Sequence, residues 1–127
     1  MPSLLAELLD ILSQSQIVQG AQVVEHDETA HGRALFMIRC QLPLGYSLQI
    51  WVHYERALQR YAYQLFSDRP ILCWDNAPHH TEIQGFPHHF HDEMGRRLPS
   101  TLTGDPIVDV PIVLDEVGRF LEQKVGG

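Results

Sequence analysis

The sequence lacks everything that would carry it across a membrane. Its apolar runs reach only four or five residues, far below the ~18 consecutive apolar residues of a spanning helix. Its first residues hold Glu7 and Asp10 within an amphipathic pattern, with no basic start, long apolar stretch or small-residue cleavage site. A membrane location is excluded, and a cytoplasmic one is expected. Cysteine is scarce: Cys40 and Cys73 are the only two and form no CxxC pair, which excludes a disulfide scaffold and assigns both thiols to the core. Basic residues are few, with 9 Lys and Arg against 16 Asp and Glu and a formal charge of −7. A broad polyanion-binding surface is excluded, because such binding needs clustered cations to displace counterions. Eight histidines qualify that statement, since protonating all of them would bring the formal charge to +1.

The 127 residues are 44% hydrophobic, enough for one domain spanning 1–127 that hides roughly two-thirds of its unfolded surface. Between Ser3 and Ser13, residues Leu4, Leu5, Leu8, Ile11 and Leu12 recur at helical spacing, with Ser3 as N-cap and Glu7 near the positive end. This predicts a helix over 3–14. The period then changes to two. Ala34, Phe36, Ile38, Cys40 and Leu42 take the even positions of one run, with Arg33, Arg39 and Gln41 among the odd ones; Leu48, Ile50 and Val52 repeat the pattern against Ser47, Gln49 and His53, and Leu42-Pro43-Leu44-Gly45 between the runs reads as a hairpin turn. Further strands are expected at 22–27, 60–66 and 71–75, giving strands over about 21–75 joined as an antiparallel meander. From 76 to 106 prolines and glycines break the pattern and predict a long irregular loop. A second helix is expected over 110–124, with Pro111 in its first turn and Lys124 in its last. The predicted fold class is α+β: an antiparallel sheet of about five strands, with the N- and C-terminal helices packed on one face.

Five histidines, His79, His80, His88, His89 and His91, fall within thirteen residues of the segment from Asp75 to Glu93. Histidine can move protons near neutrality, ligate a metal, or stack on a nucleobase. Asp75, Glu82, Asp92 and Glu93 could orient or charge these rings, and Arg96 and Arg97 could hold a phosphate. The run Asp75-Asn76-Ala77-Pro78-His79-His80, followed by Phe86-Pro87-His88-His89-Phe90-His91, resembles the TumE toxins of bacterial toxin–antitoxin systems. Upstream, Arg60-Tyr61-Ala62-Tyr63-Gln64 is similar to that family's Arg-Tyr-Ser-Tyr-His strand, so the resemblance covers about residues 45–93. Phe90 stands where the family carries Lys, and Asp92 and Glu93 add acidity. The resemblance implies the toxin of a type II system, with a cognate antitoxin protein as partner and RNA as target. Self-association as a homo-oligomer is left open.

Metal-independent RNA cleavage needs a base for the 2′-hydroxyl proton, an acid for the leaving oxygen and a cation for the phosphate. His80 and His88 are the first candidates for acid and base, with His79, His91 and Asp75 beside them and Arg96 as the cation. Tyr61 and Tyr63 could stack bases, although tyrosines alternating on a strand are more often core. His53 on a polar strand face could approach the site, whereas Trp51 and Trp74 are assigned to packing. No cofactor is expected. His89-x-His91 places two imidazoles on one side of an extended chain, as a divalent metal would require, but no zinc-type spacing is met. The alternative to an enzyme is a non-catalytic acidic interaction module, or a metal-binding domain, with a structurally ordered histidine loop.

Overall fold

The computed structural model describes residues 3–29, 32–55, 58–77 and 87–126. Helix α1 spans Leu4–Gln14; the Ser3 hydroxyl accepts from the Ala6 amide at 3.1 Å, and Leu5, Leu8 and Leu12 form its buried stripe. Seven strands follow among the described residues: β1 (Gly20–Glu28), β2 (Ala34–Gln41), β3 (Ser47–Glu55), β4 (Leu58–Phe66), β5 (Pro70–Asp75), β6 (His89–His91) and β7 (Arg97–Pro99). They form one sheet in chain order, each antiparallel to the next. Helix α2, Pro106–Gly126, closes the fold.

Register divides the sheet into two chemically distinct faces, because residues paired across antiparallel strands point the same way. One row runs Val23, Ile38, Ile50, Tyr63, Trp74, Phe90 and Leu98. From Ile38 to Trp74 its members are buried, in a single core shared with Leu8 and Leu12 of α1 and Val110, Val113 and Val117 of α2. Both helices therefore cover this face, as the amphipathic patterns require. The adjacent row, Met37, Trp51, Ala62, Asp75, His89 and Pro99, looks the other way.

Three expectations change. The segment 76–106 is not all loop, since β6 and β7 extend the sheet from about five strands to seven. Three-residue strands are too short to repeat an alternation. Helix α2 starts at Pro106 and not at 110, because Asp105 caps it: the Asp105 carboxylate accepts from the Ile107 amide at 3.0 Å, and Pro106 occupies the position where a missing N–H costs nothing. Pro111 thus lies inside the helix, beyond its first turn. The β2–β3 connection does turn at Pro43–Gly45, but Leu44 takes the left-handed conformation at φ 64° beside Gly45 at φ 80°, an arrangement that costs a β-carbon-bearing residue about 1–2 kcal/mol.

Candidate functional site at one end of the sheet

Strand β5 ends with Trp74 turned into the core, so alternation turns Asp75 outwards. The next residue, Asn76, is buried and fastens the strand end: its Oδ1 accepts from the Tyr61 amide at 3.0 Å and its Nδ2 donates to the Gln59 carbonyl at 2.7 Å. One side chain thus replaces a backbone rung and lets the main chain leave the sheet. It returns as β6, whose register sets His89 opposite Asp75 and His91 opposite Cys73.

The Asp75 carboxylate is the hub of this end. His89 Nε2 lies 2.6 Å from Oδ1, and His91 Nε2 lies 3.8 Å from Oδ2. The Ala77 amide donates to Oδ1 at 3.0 Å and the Cys73 thiol to Oδ2 at 3.7 Å. Burial, and then the Asp75 charge and this hydrogen bond, push the Cys73 thiol up to about 12, so it stays a donor at neutral pH. His89 is 2% exposed, and its other nitrogen, Nδ1, sits 3.0 Å from the Pro87 carbonyl. The His91 ring meets His89 edge to face at 5.0 Å and remains the more accessible of the two.

On the other side of the strand end, His88 faces the helix layer. Its Nδ1 is 2.9 Å from the Tyr61 hydroxyl, and its ring stacks on Tyr61, which in turn stacks on Tyr63. Gly104, at φ 97°, lets the chain pass beneath: a β-carbon there would stand 3.3 Å from His88 Cε1. Asp109, fully buried, holds this loop by accepting from the Thr103 amide and hydroxyl and from the Gly104 amide at 2.8–2.9 Å. Burial, with the charges of Asp109 and Asp75 and the Cys73 thiol behind it, raises the Tyr61 hydroxyl above its ordinary range.

The sequence-derived candidates are therefore divided. Asp75 and His91 come together, joined by His89. His88 is adjacent in the chain but faces the opposite side of the sheet. His79 and His80 lie outside the described residues. Tyr61 and Tyr63 are 2% and 0% exposed, so burial removes them as stacking platforms for a base. Arg96 is exposed and its Nε donates to Asp92 at 2.7 Å within the β6–β7 turn, next to the His91 end of β6. His53 does lie on the open face, paired in register with Arg60. Its Nε2 is 3.4 Å from Glu55 without hydrogen-bond geometry, and His53 Nε2, Arg60 Nε and Arg33 Nε are buried nitrogens with no hydrogen-bond partner among the described residues.

Sequence reasoning assigned Trp51 to packing, but the register sets it on the open face beside Ala62, the residue that separates it from Asp75. Two strand spacings make that separation about 10 Å, and the methyl of Ala62 leaves the floor between them low. Arg33 was passed over. It lines a cleft of about 540 Å³ with Ser3, Leu4, Tyr54, Gln59 and Asp105, where α1 and α2 both begin. Only the tertiary fold brings those elements to the same end as Asp75.

Fold and site define a small α+β domain that buries one sheet face under two helices and gathers carboxylate, imidazole and guanidinium groups at one end of the sheet. The sequence model of the family described as Toxin TumE matches residues 8–123, and the chain belongs to that family. No curated protein and no solved structure matches it. Among the described residues no helix is long and apolar enough to cross a membrane.

Proposed function

We propose that this toxin is the effector half of a type II toxin–antitoxin pair, held in check by a cognate antitoxin protein, and that it cleaves RNA at the open-face end of the sheet. The observation that carries this reading is the Asp75 carboxylate bridging two imidazoles, His89 at 2.6 Å and His91 at 3.8 Å. Cleavage proceeds by attack of a ribose 2′-oxygen on the adjacent phosphorus and departure of the 5′-oxygen, so one group must take a proton and another return it. His91 is the accessible ring of the cluster and takes the 2′-hydroxyl proton, while solvent water protonates the departing 5′-oxygen. Asp75 and buried His89 position that ring. Arg60 lies two residues along β4 from Ala62, the cross-strand partner of Asp75, and faces His53 across β3. Together they bring a guanidinium and an imidazole to the open face, groups that suit a phosphate oxygen. Trp51 offers a half-buried ring for a base.

Local cations on an acidic chain favour a single-strand backbone gripped at one point over an extended polyanion groove. Expression of the chain is expected to arrest growth, and His91→Ala to abolish the arrest while circular dichroism stays unchanged, because a partly exposed imidazole contributes little core burial. Purified toxin should cut cellular RNA, with His91→Ala slower by a factor of about 10²–10⁴, the range for losing a positioned acid or base. RNA left intact around neutral pH, with and without zinc or manganese, would sink the nuclease reading and leave an interaction module.

A further inference from the structure

We infer that Asp75, His89 and His91 form a binding site for a divalent transition-metal ion. This rests on the reading above for the choice of this face as the working one and changes one role in it: with an ion bound, His91 would be a ligand, and water on the ion, not His91, would take the 2′-proton. His89 Nδ1 lies 3.0 Å from the Pro87 carbonyl. A carbonyl oxygen only accepts, so Nδ1 carries the hydrogen and the neutral ring keeps its lone pair on Nε2. Yet Nε2 faces Asp75 Oδ1 at 2.6 Å. A lone pair and a carboxylate oxygen do not approach so closely unless a cation lies between or beside them, either a proton or a metal ion.

The third group favours the metal. One ligand atom each from Asp75, His89 and His91 lies within 4.8 Å of the other two, and His91 brings its Nε2 to the second carboxylate oxygen at 3.8 Å. In a tetrahedral zinc site with bonds of about 2.0–2.1 Å, neighbouring ligand atoms stand roughly 3.3 Å apart. The two imidazole nitrogens stand 2.6 and 3.8 Å from the two different oxygens of the one carboxylate, and small rotations of the two rings and the carboxylate would bring the three groups to that spacing. The outer contacts are those of a metal centre. The backbone carbonyl of Pro87 fixes the His89 tautomer, and the Ala77 amide and Cys73 thiol fix the carboxylate. Two imidazoles and one carboxylate suit zinc, manganese or ferrous iron, and disfavour magnesium and calcium, which prefer all-oxygen ligands.

The test uses the full chain stripped with EDTA and titrated with Zn²⁺ by calorimetry. One tight equivalent is expected. His91→Ala should weaken it by about 100-fold or more, beyond the 10–100-fold that losing an outer partner costs, while His26→Ala on the exposed edge strand should leave it unchanged. No uptake, or uptake equal in the two variants, overturns the site. If His91→Ala fails to fold, histidine ring signals of the wild-type chain decide: Zn²⁺ must shift His89 and His91 ahead of His26 and His53, and uniform shifts overturn the proposal. Zinc uptake without RNA cleavage would refute the ribonuclease reading alone, whereas cleavage without zinc uptake would refute the metal alone.

Discussion

Asn76 does with a side chain what a peptide group does elsewhere in the sheet, and only a carboxamide can do it. Its oxygen accepts from the Tyr61 amide and its nitrogen donates to the Gln59 carbonyl. Asp at this position would set a carboxylate oxygen against that carbonyl, and Leu would leave both main-chain groups unsatisfied in the interior. Either change is expected to cost about 1–3 kcal/mol, read as a lower urea midpoint with an unchanged slope. Because Asn76 adjoins Asp75, the same variant should weaken activity even at temperatures where it remains folded. Stability equal to wild type in Asn76→Asp would mean that the side chain does not carry the rung.

The turn between β6 and β7 illustrates how an element is held by charge. Desolvation pushes the Asp92 carboxyl up, but the amide and guanidinium of Arg96 and the amide of Met94 outweigh it and hold the group below its ordinary value. A depressed folded-state value means that the stabilisation is fully present above the unfolded carboxylate value of about 3.9 and is lost as pH falls through the folded one. Amide exchange at Met94 and Arg96 should therefore stay slow down to acid pH and accelerate only below the usual carboxylate range. Acceleration already at about pH 5 would contradict this.

The longer elements were legible in the sequence because each repeats its pattern several times: Leu5, Leu8 and Leu12 for α1, and Phe36, Ile38 and Cys40 for β2. Strand β6 was not, since three residues show one alternation and two of them are histidines. The site was half legible. Alternation separates His88 from His89 and groups His89 with His91, but the pairing of His89 with Asp75 depends on register across the chain between 77 and 87, which no local pattern encodes. The same alternation marks Tyr61 and Tyr63 as either both inward or both outward, and only the helices decide which.

At the scale of the whole molecule, the sheet keeps packing and chemistry on opposite faces. Substitutions among His53, Trp51, Arg60 and His91 touch the open face, whereas the core row is shared with the helices. A further consequence follows from strand order, which in space is the order of the chain. Each strand, as it emerges during synthesis, finds its partner already made, so the sheet can grow one edge at a time without waiting for distant sequence. Helix α1 precedes the strands, but α2, the longer of the two helices that shelter the sheet, comes after every strand. Val110, Val113, Leu114, Val117, Phe120 and Leu121 of α2 are all buried. At roughly 1.5–3 kcal/mol each, their contribution rivals the ~5–15 kcal/mol net stability of an ordinary domain. Nascent chains stalled before α2 clears the ribosome should thus be protease-sensitive and those stalled after it resistant. Protection already complete before α2 emerges would refute this. Between those two lengths the toxin has its histidines in hand and no finished body to hold them, a built-in delay between being written and being armed.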